Sequence, residues 1–482
     1  MLQRIHFKIT CTLSVVCVAA ALPVFAQSFR SLSFHGTNGR SPNAPLVQGT
    51  DGNFYGTTEL GGNHGNDGTV FRITPNGVIT TIYNFCSLPS CADGRQPITG
   101  LTLATDGNFY GTTMSGGQND AGSVFRISSG GTLTTLYSFS SSPGTGGFSP
   151  GGALLQAADR NLYGTTQYGG TAGNGTVYRI TLDGSFTALA SFTDEAFAGT
   201  LVQDWNGNFY GPSYSGGEDC GLEEGGCGTL FQMTSSGTLS DLYLFPLDCA
   251  GSCNPSARLS PAIDGNLYGT TNDGGAHQSG TIFKVTPSGA LTTLYNFCTE
   301  ANCVDGTMPD APILGTDGSV YGTAREGGAA GYGDVFSFDT GGTLHVLHSF
   351  CTQAGCPDGQ TAATGGLLEA TTGSIYGVAT LGGDLTCGNA AGCGTVFSIS
   401  TGLPAFVAFV NGSARVGQTV GILGQGFNGT TSVSFNGTAA NFVIQSRTLI
   451  LATVPAGAAT GSVTVATPRG TLTSNVPFRV IP

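Results

Sequence analysis

The chain has 482 residues, more than one ordinary hydrophobic core accommodates, so two or more folding units are required. Its formal net charge is -13 and only 9% of its residues are charged, which makes nucleic acid and anionic lipid poor partners. Glycine supplies 79 residues without a collagen period, and with abundant Thr and almost no Lys this composition argues for short strands joined by tight turns.

The N-terminus reads as a secretory signal. Arg4 and Lys8 precede an apolar stretch from Ile9 to Phe25, and Val24-Phe25-Ala26 offers a cleavage site before Gln27. A transmembrane anchor is the competing reading, but it needs about 20 apolar residues. This run is shorter and is interrupted by Thr10, Thr12, Ser14 and Pro23. Cys17 follows "SVV", a poor lipid-attachment signal because Val16 stands where a small residue belongs. Residues 1–26 are therefore expected to leave the mature chain.

From Gln27 to Thr401 one pattern is written seven times. A Tyr-Gly pair begins at Tyr55, Tyr110, Tyr163, Tyr210, Tyr268, Tyr321 and Tyr376, at spacings of 55, 53, 47, 58, 53 and 55 residues. Each copy continues through a glycine pair to a "GTVF"-like run. Six copies then add an "LTTLYSF"-like run. In the first copy the strands are expected at about Pro45–Gly49, Phe54–Thr58, Thr69–Thr74 and Ile79–Phe85. Asp51-Gly52 between the first two is read as a type I′ hairpin turn, with Asp51 a turn residue rather than a ligand. Phe54 and Tyr55 point to opposite faces, and Gly56 follows where little room remains. Four strands per unit of about 50 residues is the arithmetic of a β-propeller blade. The seventh copy lacks its fourth strand, and Ser31-Leu32-Ser33-Phe34 resembles the missing piece, so the mature N-terminus is expected to complete the last blade. The fold class is thus all-β: a seven-bladed β-propeller of four-stranded blades over residues 27–401, followed by a second unit.

Two kinds of loop then separate. Turns from strand one to two, and from three to four, are short and lie at one end of such a ring. The longer connections lie at the other end, where a rigid scaffold concentrates binding residues. Once the two signal-segment cysteines are set aside, the rest fall into six local pairs in these longer loops: Cys86/Cys91, Cys220/Cys227, Cys249/Cys253, Cys298/Cys303, Cys351/Cys356 and Cys387/Cys393. Close pairs in even number read as disulfides of an oxidising compartment; zinc would want His partners or CxxC spacing, and neither accompanies them. The pattern Cys-x4-Cys-x-Asp-Gly places Asp93, Asp305 and Asp358 at equivalent loop positions, either as ligand-facing carboxylates or as Asx turns shaping the loop. Glu218, Asp219, Glu223 and Glu224 sit in or beside the Cys220–Cys227 loop and could hold Ca²⁺, although EF-hand spacing is absent and a solvated acidic loop is the plainer reading. No other cofactor is expected. Tyr168, Tyr214 and Tyr332 are the loop tyrosines available as a sugar platform. His64, His277, His345 and His348 have no motif-level partner, and GxSxG, HExxH and P-loop motifs do not occur.

After Thr401 the repeat stops and residues 402–482 carry alternating runs with turn signals every 8–12 residues, which point to a small β-sandwich. All the acids precede this segment, which holds Arg415, Arg447, Arg469 and Arg479. The tract "GQTVGILGQGFNGTTSVSFNGTAANFVI" through "LATVPAGAATGSVTV" resembles the IPT/TIG family of immunoglobulin-like domains. Gly424-Gln425-Gly426-Phe427-Asn428-Gly429 fits GxGxxG by chance, because a hairpin and no helix follows. The motif "DGNFYGTT…GG…GTVFRIT…G…LTTLYSF" over residues 28–400 resembles the GloVer-type tandem-repeat proteins of bacteria, whose tails vary in their surface anchoring. That resemblance implies export and a surface setting and brings no catalytic residues.

These readings lead to one expectation: a secreted or cell-surface binding or adhesion module, with the periplasm as the alternative location. It would act as a monomer and take a glycan or surface protein on the long-loop face. The alternative is an extracellular polysaccharide lyase or glycoside hydrolase, whose paired carboxylates would meet only in space.

Overall fold

The computed structural model describes residues 28–481 apart from 143–145, 195–196, 218–225, 247–248, 250–251, 257, 363–365 and 388–390. Residues 1–26, expected above to be a signal, lie outside the described residues. Strands dominate: the helical turns among the described residues are Pro89–Cys91 and Ala301–Cys303, and no helix is long and apolar enough to cross a membrane.

Seven antiparallel sheets follow one another along residues 28–400. In the first, Phe54–Leu60, Thr69–Ile73 and Ile79–Asn84 pair in sequence order, and the innermost position holds two short strands, Arg40–Pro42 and Val47–Gln48. A single inner strand over Pro45–Gly49 is therefore a misreading. Pro42 and Pro45 offer no N–H to the ladder, so residues 43–46 leave it and pairing resumes at Val47.

The repeated turn also differs from expectation. Gly52 has φ +80° and Asp51 is not in the left-handed region, so this is not a type I′ turn. It is a wider turn with one left-handed glycine, in which the Gly49 N–H donates to the Asn53 carbonyl at 2.8 Å. Asp51 fills the gap: one oxygen accepts the Asn53 N–H at 3.1 Å and the other accepts the Tyr55 hydroxyl at 2.8 Å. Asp106, Asp159, Asp204 and Asp317 do the same for Tyr110, Tyr163, Tyr210 and Tyr321. The tyrosine bodies are buried against the next sheet, so the aspartate satisfies a hydroxyl that would otherwise be stranded. Burial, reinforced by Asp204, pushes the Tyr210 hydroxyl up to about 12.

Gly56 provides close packing. A Cβ there would stand 2.6 Å from the Phe71 ring and 2.8 Å from Leu46. Buried clusters lie between every pair of neighbouring sheets, and Phe34, Leu46, Phe54 and Phe71 of the chain's start also share a cluster with Val378 and Val396 of the seventh sheet. Ser28–Ser33 pairs along its whole length with Thr395–Ser400, from Ser28 opposite Ser400 to Ser33 opposite Thr395. The N-terminal strand is thus the outer strand of the seventh sheet. Gln48 of the first sheet accepts the Thr371 N–H of the seventh at 3.0 Å, as Gln156 and Gln203 accept amides from their own preceding sheets.

Residues 408–481 form two four-stranded antiparallel sheets and a parallel pair, Ser413–Arg415 with Arg479–Ile481, around one core that includes Val420, Ile422, Phe427, Val433, Phe435, Ile450 and Val465. This unit rests on the short-turn end of the seven sheets. Thr448 donates to the Thr50 carbonyl at 2.9 Å, Asn411 to the Ala157 carbonyl at 3.3 Å and Gln425 to the Thr371 hydroxyl at 3.1 Å. Leu423 and Leu449 join the cluster of Tyr55, Leu103 and Phe109.

One feature is not kept throughout: the seventh sheet has Ala379 opposite Thr395, and the sixth departs further. In other sheets paired hydroxyls such as Thr58–Thr69 and Thr166–Thr176 bridge the middle strands at 2.8 Å and 2.9 Å. The sixth sheet has Ala324 opposite Asp334, whose buried carboxyl oxygens have no partner. Burial, then the nearby Asp305, pushes this carboxyl well above its ordinary 3.8.

Two outcomes are expected. Asp51→Ala should cost about 2 kcal/mol, read as a lowered urea midpoint, and adding Tyr55→Phe should then cost little more. Asp334 keeps its proton in the fold after the unfolded chain has lost it, so stability declines as pH rises from 3.8 towards the raised folded value. Ala324→Thr with Asp334→Thr should remove that part of the decline in melting temperature.

Candidate functional site

The three loop aspartates are held inwards. Asp93 is fully buried, and its carboxylate accepts the Tyr83 hydroxyl at 2.7 Å, the Ser87 N–H at 3.0 Å and hydroxyl at 2.9 Å, and the Leu88 N–H at 3.2 Å. Asp305 repeats this with Tyr295, Thr299 and Glu300. Asp358 accepts the Cys351 N–H at 3.1 Å, and where the other copies have Tyr it meets His348 Nε2 at 2.8 Å. Each carboxylate gathers the amides of a loop whose leading cysteine is left-handed: Cys86, Cys298 and Cys351 have φ 59°, 61° and 58°. A disulfide closes each of these loops, Cys86–Cys91, Cys298–Cys303 and Cys351–Cys356, and Cys249–Cys253 and Cys387–Cys393 are bonded as well. The lone pairs of these aspartates are thus occupied by loop donors, and what the loops present outward are other residues. Glu218, Asp219, Glu223 and Glu224 lie outside the described residues, as does Cys220.

Among the described residues, the trio that comes within metal-ligating distance is Asp67 with Cys86 and Cys91. Both sulfurs are tied in a disulfide and offer no thiolate.

The tyrosines part company. Tyr332 is exposed on the connection between the second and third strands of the sixth sheet. Tyr168 ends the second strand of the third sheet; it is 40% exposed and stacks on Phe148 with ring centres 5.3 Å apart. Phe197 of the fourth sheet meets it edge-on at 6.0 Å. Tyr214 directly follows the corresponding strand of the fourth sheet, Phe209–Ser213, and faces a cluster that sequence reasoning missed. Arg325 donates to Asp310 through Nε at 2.6 Å and through a terminal nitrogen at 3.3 Å. Burial alone would lower the guanidinium's pKa, but Asp310, and after it Tyr214 and Asp273, raise it above its ordinary value. Burial raises the Asp310 and Asp273 carboxyls, against the pull of Arg325.

Tyr168, Tyr214, Asp273 and Arg325 each lie four or five residues beyond the tyrosine of a Tyr-Gly pair, so four consecutive sheets present them at the same end, opposite the C-terminal unit. The signal was present: the fourth position reads Glu59, Met114, Gln167, Tyr214, Asn272, Arg325 and Thr380, and the fifth reads Leu60, Ser115, Tyr168, Ser215, Asp273, Glu326 and Leu381, the varying end of a strand that begins with Tyr-Gly in every copy.

The repeat that builds this face decides the family. The Gloeobacter/Verrucomicrobia repeat matches twice, over residues 24–222 and 221–444. The chain belongs to the Gloeobacter/Verrucomicrobia repeat family. In this repeat protein the second match runs past Thr401 into the C-terminal unit. No curated protein matches the sequence. Among solved structures, a streptogramin B lyase superposes with TM-score 0.53 at 13% identity, over 77% of this chain and 97% of its own. A catalytically inactive virginiamycin B lyase from Staphylococcus aureus with quinupristin gives 0.52 at 14%, over 78% and 99%. A fungal alcohol oxidase in complex with copper gives 0.53 at 13%, over 94% and 99%. At such identities the likeness shows the fold alone, which is β-propeller-like.

His348 of this repeat protein is stacked on Phe29 with ring centres 3.5 Å apart, so it touches the N-terminal strand. Burial lowers its pKa below the ordinary 6.5, although Asp358 opposes this. Below 6.5 the unfolded chain therefore binds the proton more readily, and stability falls with pH until the lowered folded value is passed. His348→Tyr, the residue of the two sister loops, should abolish that fall in a melting-temperature series from pH 7 to pH 5 (about the window of a lowered histidine pKa).

Proposed function

We propose that the mature chain is an exported glycan-binding module built as a closed seven-bladed β-propeller. In this reading residues 27–401 form the propeller, residues 402–482 form an IPT/TIG-like immunoglobulin-fold domain, and residues 1–26 are a signal peptide. Disulfides in the long loops and the mutual packing of the first and seventh sheets support it.

The observation that carries the binding reading is the composition of the open end. A solvent-facing tyrosine on a phenylalanine shelf is a platform for the apolar face of a pyranose ring. Beyond it, Tyr214, Asp273 and the Arg325–Asp310 pair supply the few oriented polar groups that would fix hydroxyls. The C-terminal unit covers the other end, so a ligand would approach from this one. Asp93, Asp305 and Asp358 act in this scheme by shaping the loops, and Tyr332 stands apart on its own loop.

A second reading has one observation in its favour: Asp310 and Asp273 both carry raised carboxyl pKa values beside Arg325, the kind of environment a lyase or glycoside hydrolase uses.

A glycan array followed by retention on the best insoluble polysaccharide tests both. Tyr168→Ala should weaken retention by about 10-fold, the loss of one stacking contact of 1–1.5 kcal/mol, whereas Tyr332→Ala should not. Retention unchanged by Tyr168→Ala would refute the platform. Release of reducing or unsaturated ends that stops in Asp310→Asn would replace the binding reading with the enzymatic one.

A further inference from the structure

The link from the third sheet to the fourth is the shortest of its kind. Phe192, at the end of the third sheet's outer strand, is followed nine residues later by the buried Leu201, whereas Phe34 reaches Leu46 in 12 and Phe85 reaches Leu101 in 16. The short stretch carries no cysteine pair. It leaves a cavity of about 180 Å³, partly open to solvent, between Phe192 and Asp194 on one side and the fourth sheet on the other. Ser213, Thr229, Phe231 and Asp241 line it from the fourth sheet, where they belong to strands Phe209–Ser213, Thr229–Met233 and Leu239–Leu244.

Two side chains set this cavity apart. The first is Asp241. It pairs with Phe231 across the outer strands, and at the same register the other sheets place Thr81, Thr135, Ala188, Thr293, Val346 and Ser31. Thr81 donates its hydroxyl to the Asn38 carbonyl of the preceding link at 3.0 Å, a bond that an ionised carboxylate cannot make. Asp241 shares the cavity with Asp194, and burial, then Asp194, raises its carboxyl above the ordinary 3.8. Among the described residues neither carboxylate has a hydrogen-bond or ion-pair partner, unlike Asp51, Asp106 and Asp159 in their turns. The second is Thr229. Thr69, Thr176 and Thr281 each meet the hydroxyl opposite them at 2.8 Å to 2.9 Å. Opposite Thr229 stands Ser213, whose hydroxyl is turned to the Ser215 carbonyl at 2.7 Å. Thr229 is only 7% exposed, and it lines the cavity with a hydroxyl that bonds to nothing among the described residues.

We propose that this cavity is a calcium site, in which one Ca²⁺ is held between Asp194 and Asp241 and takes the Thr229 hydroxyl and water as further ligands. The side-chain donors are all oxygens, and no His, Cys, Lys or Arg lines the cavity. Such a set suits a hard cation rather than zinc or copper. Two carboxylates match the charge of a divalent ion. The volume leaves room for part of the ion's water shell, and the loose coordination of Ca²⁺ fits an irregular set better than the strict octahedron of Mg²⁺. The ion ties the short link to the outer strand of the fourth sheet, as the Thr81–Asn38 bond ties the corresponding link at the first. With two charged ligands the site is weak, with a dissociation constant on the order of 0.1–1 mM, the range of extracellular calcium modules. Neither glycan recognition nor a closed ring is needed for it.

Isothermal titration of the mature full-length chain with calcium chloride and, separately, magnesium chloride at fixed ionic strength tests it. Calcium should bind in the stated range and magnesium about 10-fold more weakly or worse. Asp194→Asn and Asp241→Asn should each weaken calcium binding by about 10-fold or more, the loss of one of two charged ligands. Both aspartates lie at the exposed rim, so these variants should keep the fold. Thr229→Val, which keeps the shape and removes the hydroxyl, should weaken binding by a smaller factor. Asp264→Asn, at an exposed turn of the fifth sheet, should bind as the parent does. Calcium should also raise the melting temperature of the parent and leave that of Asp241→Asn unmoved. Absence of calcium binding to the parent chain would overturn the assignment. So would parental affinity in both Asp194→Asn and Asp241→Asn, the ion then being held elsewhere, as by Glu218, Asp219, Glu223 and Glu224. Equal affinity for magnesium, the mark of a solvated acidic pair, would do the same.

Discussion

Everything else in this molecule depends on one strand pairing. Ser28–Ser33 lies along Thr395–Ser400 through six residue pairs, joining the start of the repeat region to its end. A sheet that packs on neighbours through both faces is stable only when both neighbours exist. The first and seventh sheets would each lack one if the chain were left open, and Phe34, Phe54 and Phe71 would lose Val378 and Val396 as cover. The Phe29 ring, lying on His348, extends that closure to the outer strand of the sixth sheet.

Within the seven sheets, repetition and exception have different physical meanings. The repeated glycine is fixed by the phenylalanine ring above it, and the repeated aspartate by a buried tyrosine hydroxyl needing an acceptor. Such residues make wedges. Where the chain departs from its own rule, packing gives no comparable reason. Arg325 where other copies have Met114 or Thr380 and Asp334 where they have Thr or Ser both carry charge into enclosed places. Both of these least expected residues fall in the sixth sheet.

The C-terminal unit gives the seven sheets a direction. It contacts turns of the first, third and seventh sheets and adds Leu423 and Leu449 to a cluster shared by the first two. The seven sheets thereby have a covered end and an open end. The acidic ring and the acid-free, arginine-bearing unit also have opposite charge, which favours their association at low ionic strength.

Much was legible in the sequence because the repeat averages out local ambiguity. Seven copies of Tyr-Gly fix the number of units, and an orphan "SLSF" shows where the missing strand lies. Local signals misled only where several backbone outcomes fit the same residues, as at Asp51-Gly52 and between Pro42 and Pro45. How the loop aspartates turn inward, which tyrosine finds a stacking partner and which arginine finds a carboxylate were not legible. Those outcomes depend on side chains brought together from different strands and sheets, such as Phe148, Tyr168 and Phe197, or Tyr214 and Arg325. The sequence by itself determined the wedge and its copy number, since both rest on local periodicity. Only the tertiary structure decided which end is open and what lines it, because the pairing of the N-terminal strand with the seventh sheet and the docking of the last unit place residues by contact and not by spacing.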